Sequence, residues 1–141
     1  FTAPFDFTFI DKDNTKQPVV MWCYGIWLWR VMWTVVEVHH DEEWIKWPES
    51  IAPYKYIVIW IWKNWEPKAD EIYKSLSQQN IEIVIDDRDE STWFKLKDAN
   101  LIWIPYQIIV SDKTMENGEN MVELVNRMTW EKTIVDYKTL K

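Results

Sequence analysis

Apolar and polar residues alternate from Phe5 to Ile10 and recur from Gln17 to Tyr24, with the polar run Asp11-Lys12-Asp13-Asn14 between them. That pattern predicts two strands of an antiparallel hairpin joined by a turn. From Ile26 to His39 the spacing changes. Leu28, Val31, Met32, Val35 and Val36 recur at helical intervals. A charged connector, Asp41 to Ser50, contains Trp47-Pro48 and leads into Ile51-Ala52-Pro53, where a domain boundary is expected. Tyr56 to Ile61 reads as a buried strand. Pro67 to Gln79 reads as a helix with proline in its first turn and Ala69, Ile72, Tyr73 and Leu76 on one face. Strand Ile81–Ile85, helix Phe94–Ile102 and strand Tyr106–Val110 follow. Two further runs, Glu119–Asn126 and Lys132–Tyr137, predict a hairpin at the sheet edge. Alternating strands and helices imply an α/β fold: a mixed, largely parallel sheet flanked by helices, with right-handed crossovers. The expected domains are 1–50 and 51–141.

Composition narrows the class. The chain has 141 residues, 48% hydrophobic and 28% charged, enough for a core in a soluble domain. No stretch approaches about 20 uninterrupted apolar residues, so no membrane span is expected. Phe1 to Phe9 lacks the basic start and apolar run of a leader. The single Cys23 excludes an internal disulfide and fits a reducing cytoplasm. A first residue other than Met suggests a fragment. Residues 1–50 carry 4 basic and 8 acidic side chains, and residues 51–141 carry 12 and 15. Neither part is a polycationic nucleic-acid binder, so any RNA contact must come from a local patch, shape and base edges.

Twelve Trp and two Gly form an unusual pair of counts. At average usage of roughly 7%, about ten Gly would be expected. Several Trp occupy turn slots: Lys63-Asn64-Trp65-Glu66 lies between a strand and a helix, and Met128-Thr129-Trp130-Glu131-Lys132 lies between two strands. Such turns often need φ > 0, which glycine tolerates and an indole does not. Some bacteria read UGA as glycine where a standard translation prints Trp. Reading Trp at 22, 27, 29, 33, 44, 60, 62, 65, 93, 103 and 130 as glycine would leave one Trp, Trp47, and restore an ordinary glycine content. The alternative is an aromatic-rich design or a carbohydrate-binding surface.

Two segments carry candidate chemistry. The first runs Met21-Trp22-Cys23-Tyr24-Gly25-Ile26-Trp27-Leu28-Trp29-Arg30. With glycines restored it is a strand ending in small residues, then an Arg at a helix start. Bare backbone admits a nucleotide, and a guanidinium grips phosphate. A glycine-rich turn with a solvent-facing Arg fits the same pattern. The second is Asp86-Asp87-Arg88-Asp89-Glu90-Ser91-Thr92-Trp93-Phe94-Lys95, at the carboxyl end of an expected parallel strand, where ligands favour open α/β sheets. Its acids could accept from guanine N–H groups and its cations could hold phosphate. An ion-pair loop is the plainer reading. His39-His40-Asp41-Glu42 reads as carbonyl caps or solvent-facing residues rather than a metal site. No His–acid pair is spaced to activate Cys23.

Taken together, the glycine-restored 21–30 segment, Glu37-Val38-His39-His40-Asp41-Glu42, Trp47-Pro48-Glu49-Ser50-Ile51-Ala52-Pro53-Tyr54, Asp86-Asp87-Arg88-Asp89-Glu90 and Leu101-Ile102-Trp103-Ile104-Pro105 resemble, in order and spacing, the end of bacterial-type prolyl-tRNA synthetases. The resemblance implies that residues 1–50 close a class II catalytic domain and that 51–141 form an anticodon-binding domain. It implies that Arg30 of motif 3 binds ATP phosphates, with Trp22, Cys23, Gly25 and Trp27 lining the ATP and proline site. It also implies that Asp87, Arg88, Asp89 and Lys95 contact the anticodon. The implied substrates are proline, proline tRNA and ATP with Mg²⁺, in a cytoplasmic homodimer with no resident metal. Motifs 1 and 2 and the editing insertion are not in this sequence, so this piece alone is not expected to aminoacylate. A stand-alone, non-catalytic RNA-binding paralogue of the anticodon domain is the alternative function.

Overall fold

The computed structural model describes residues 2–42 and 44–141. Phe1 and Glu43, which fall within the leader reading and the connector, lie outside the described residues. The chain forms two compact units, one up to Val31 and one from Met32. In the first, β1 (Thr8–Ile10) pairs antiparallel with β2 (Lys16–Pro18), Phe9 opposite Gln17. The Asp11 carboxylate closes the turn by accepting from the N–H of Asp13 at 2.9 Å and the Thr15 hydroxyl at 2.8 Å. Both strands are shorter than the alternation predicts. Ala3–Phe5, with Pro4, adopts a 3₁₀ turn that takes up the start of the first run, and beyond the paired residues one further bond, Val19 N–H to the Phe7 carbonyl at 3.0 Å, holds the strand ends together. Helix α1 (Leu28–Val38) follows and buries no side chain.

The second unit holds a five-stranded sheet. Its strands are β3 (Tyr56–Trp60), β4 (Ile83–Ile85), β5 (Tyr106–Val110), β6 (Met121–Asn126) and β7 (Lys132–Asp136), in the order β4-β3-β5-β6-β7. β3 runs parallel to both β4 and β5, whereas β5–β6 and β6–β7 are antiparallel. Helix α2 (Glu66–Gln78) joins β3 to β4, α3 (Thr92–Ile102) joins β4 to β5, and the short α4 (Asp112–Met115) precedes β6. This is the mixed α/β sheet the sequence implies.

The pleat explains the two-sided core. All five residues of β3 are buried. Tyr56, Val58 and Trp60 join Ala69, Ile72 and Leu76 of α2 in one cluster, while Ile57 and Ile59 join Ala99 of α3 and Ile104 in the other. Each fully buried large apolar side chain contributes about 1.5–3 kcal/mol. Pro67 lies in the first turn of α2, where its missing N–H costs no hydrogen bond.

The predicted turn at Lys63–Glu66 differs from expectation. It is a 3₁₀ turn with Trp65 at φ −94°, running directly into α2, and the Trp65 indole N–H donates to Asp112 at 2.8 Å. Trp130, in the β6–β7 connection, does have positive φ, at 59°.

Candidate nucleic-acid interface

Parallel strands β3 and β4 end side by side, and the segment after β4 folds over their carboxyl ends. A cleft of about 430 Å³ opens there, lined by Trp60, Trp62, Lys63, Arg88, Thr92 and Lys95 among others. Ser91 caps α3, its hydroxyl accepting from Phe94 N–H at 3.3 Å. Thr92 donates its hydroxyl proton to the Ile61 carbonyl at 2.5 Å, stitching the start of α3 to the end of β3.

Arg88 organises the loop. Its Nε and Nη2 donate to the two oxygens of Asp86 at 2.9 and 2.7 Å, and Nη1 donates to Asp98 of α3 at 2.8 Å. Burial works to raise the Asp86 carboxyl, but the Arg88 side chain and backbone N–H, with the Lys95 charge, outweigh it and hold the group below its ordinary value. Arg88 itself is held above the ordinary guanidinium value by the same two carboxylates. Asp98, which the sequence did not single out, is therefore part of the arrangement. Its place ten residues beyond Arg88 gives no signal before the fold is known.

The four residues chosen for RNA contact come together here in unequal states. Asp87 and Asp89 are exposed, and Asp89 pairs with Lys63 at 3.1 Å. Arg88 is half engaged, its side chain 45% exposed beside both carboxylates. Lys95 is 1% exposed: Nζ lies 3.2 Å from the Trp60 ring centroid and donates to the Asp86 carbonyl at 3.2 Å. Burial pulls its pKa below the ordinary lysine value, against the opposing charge of Asp86. Chemically, the cleft mouth offers carboxylate acceptors, one partly available guanidinium and a lysine roofed by an indole.

The first unit gathers the other five candidates along residues 22–30. Trp22, Cys23 and Trp27 are exposed, and the Arg30 guanidinium lies 5.0 Å from the Trp27 ring centroid. A Cβ placed on Gly25 would meet only the Cys23 sulfur, at 3.8 Å, so the backbone there is open to approach. At the end of α1, a His40 ring nitrogen lies 3.2 Å from the Val36 carbonyl. No cluster of His, Cys, Asp and Glu able to hold a metal occurs among the described residues. No helix among them is long and apolar enough to cross a membrane.

Comparison with known proteins gives this geometry a family. The chain is 40% identical over 134 residues to the proline–tRNA ligase of Desulforamulus reducens, covering 93% of this chain and 23% of that protein. It is 37% identical over 139 residues to the proline–tRNA ligase of Aquifex aeolicus, covering 96% and 24%. For the Persephonella marina proline–tRNA ligase the identity is 44% over 131 residues, covering 91% and 23%. The chain thus spans about a quarter of the length of these relatives, at 23–24%. In fold it is similar to the RNA binding domain of threonyl-tRNA synthetase from Cryptosporidium parvum Iowa II, with a TM-score of 0.58 at 17% identity over 65% of this chain and 23% of that one. The family model described as an anticodon binding domain matches residues 55–141, which hold the whole five-stranded sheet and its cleft. The chain belongs to the anticodon binding domain family.

Proposed function

We propose that this chain is a portion of a proline–tRNA ligase, in which residues 51–141 read the anticodon of proline tRNA and residues 1–50 close the catalytic domain. The whole enzyme activates proline with ATP and Mg²⁺ as co-substrates, transfers it to tRNA, and works as a cytoplasmic homodimer. The observation that carries the reading is the extent of likeness to proline–tRNA ligases, 37–44% identity over more than nine-tenths of the chain in three of them. The carboxyl-end cleft supports it, because splayed bases are read by acceptors and cations at such an edge.

Asp87 and Asp89 accept from base N–H groups. Arg88 keeps the loop in shape through Asp86 and Asp98 while its exposed side approaches base or phosphate, and Lys95 supplies positive charge beneath the cleft. Arg30 binds ATP phosphates with its guanidinium, and Trp22, Cys23, Gly25 and Trp27 frame the proline and ATP site. At these positions the open backbone at Gly25 fits a nucleotide, whereas the Trp27 ring against Arg30 competes with phosphate for the same face.

The test is titration of the chain with proline tRNA and with a tRNA carrying another anticodon, at fixed low salt. The expected result is tighter binding of proline tRNA, weakened by Arg88→Ala. Equal binding of both tRNAs, unmoved by that substitution, would refute the anticodon site.

A further inference from the structure

Two of the twelve tryptophans have a backbone that suits glycine, and they flank one buried cation. Trp103 ends α3 in the left-handed conformation, φ 56° and ψ 55°, and Trp130 has φ 59° in the β6–β7 connection. Among the described residues, the other non-glycine positions at positive φ are Asp6, Asn14 and Asn80, types that tolerate it. A bulky indole there is an outlier, and the C-terminal cap of a helix is where glycine is most wanted. Between the two rings lies Arg127, wholly buried, its guanidinium carbon 4.2 Å from the Trp103 centroid and 3.9 Å from the Trp130 centroid.

The sandwich leaves polar atoms stranded. Arg127 Nη2 donates to the Asn100 carbonyl at 3.3 Å, but Nε and Nη1 have no partner, nor does the Trp103 indole N–H. Among the described residues these three are all of the buried side-chain nitrogen and oxygen atoms without a hydrogen bond. Burial pulls the Arg127 pKa down to about 10, against the opposing charge of Asp41. Backbone strain at two sites and every orphaned buried donor thus meet at one place, and both faults trace to the same two side chains.

We infer that the working protein carries glycine at positions 103 and 130, so that α3 and the β6–β7 hairpin end in unstrained left-handed residues and the Arg127 guanidinium is open to water and connector carboxylates. This narrows the composition argument from eleven positions to two that the backbone itself selects. It excludes Trp65 from that backbone argument, because that residue has ordinary φ and a satisfied indole N–H. The inference does not rest on the tRNA reading: a chain of any function would have the same requirement.

Peptide mass spectrometry of the protein isolated from its own cells tests it directly. Glycine at both positions is expected, and tryptophan at either overturns the inference. The recombinant chain supplies a second measurement. The double variant Trp103→Gly/Trp130→Gly is expected to melt at or above the temperature of the chain as written, although a side chain that is 0% exposed is removed at position 103. A fall as large as that of Ile104→Gly, its buried neighbour, would overturn the inference equally.

Discussion

The Lys95 ammonium lies 3.2 Å from the centroid of the Trp60 ring, beneath the cleft at the carboxyl ends of β3 and β4. A cation over the face of a desolvated indole gains about 2 kcal/mol, which offsets part of the cost of burying it. The indole therefore decides whether this charge reaches the cleft. Trp60→Gly is expected to raise the labelling of Lys95 by an amine-specific reagent several-fold, read by peptide mass spectrometry, with the exposed Lys97 as internal reference. Unchanged labelling would mean that another group buries the ammonium.

The Arg88–Asp86 pair carries a pH signature. The Asp86 carboxyl is held below its ordinary value of 3.8, so the stability it contributes is present above that pH and is lost as pH falls through the lower, folded-state value. Arg88→Met removes the hydrogen bonds and charge but leaves the burial, which pushes the carboxyl upward. The variant is therefore less stable than the parent at neutral pH, and the gap closes as Asp86 is protonated. Urea unfolding from pH 7 to pH 3 is expected to show converging midpoints. A constant difference would show that Arg88 acts through something other than its carboxylate partners, such as its packing over the Phe94 ring, whose centroid lies 5.7 Å from the guanidinium carbon.

How far the sequence foretold this arrangement differs by element. Tyr56–Trp60 was legible because an unbroken apolar run is what a strand covered on both faces requires, and Tyr106–Val110 because its apolar residues are interrupted only by Gln107. Helix α2 was legible from Ala69, Ile72 and Leu76 at helical spacing. Helix α4 was not, since four residues hold too little periodicity. In the candidate site, an acidic loop after a parallel strand could be read from the chain. That Lys95 is buried could not, because a lysine in a charged stretch of sequence looks solvated until Trp60 closes over it. The tie from Arg88 to Asp98 and the stacking of Arg127 are likewise tertiary. They depend on residues brought together by the sheet, not on local pattern.

Tyr137 links the C-terminal segment to α2. Its ring is 1% exposed, and its hydroxyl donates to Glu71 at 2.9 Å. Burial, followed by the hydrogen bond to Glu71 and the nearby carboxylates, pushes the phenol up to about 12. Tyr137→Phe keeps the packing and removes one partner, so a loss of about 0.5–1.5 kcal/mol is expected. The phenol's folded pKa lies above its ordinary value of 10.0, so its contribution is present at neutral pH and falls away as pH rises past 10. Parent and variant should therefore differ at pH 7 and converge at high pH. A difference that grows with pH would contradict this assignment.

The stitch from Thr92 to Ile61 predicts a local change rather than a global one. The hydroxyl donates to the last carbonyl before Trp62, at 2.5 Å, and so fixes the start of α3 against the end of β3 across the cleft. Thr92→Val retains shape and branching but removes the donor, leaving a partly buried carbonyl unpaired. The expected loss is about 1 kcal/mol, small beside the cores that hold the sheet. The structural consequence should be concentrated at Asp87–Ser91, whose shape depends on where α3 begins. Amide hydrogen exchange in that segment is expected to quicken in Thr92→Val and to stay at the parent rate in Thr92→Ser, while exchange in β5 is unchanged. Equal acceleration across the sheet would show that the hydroxyl supports the whole unit, and it would remove the reason for treating the loop and helix start as one preorganised rim of the cleft.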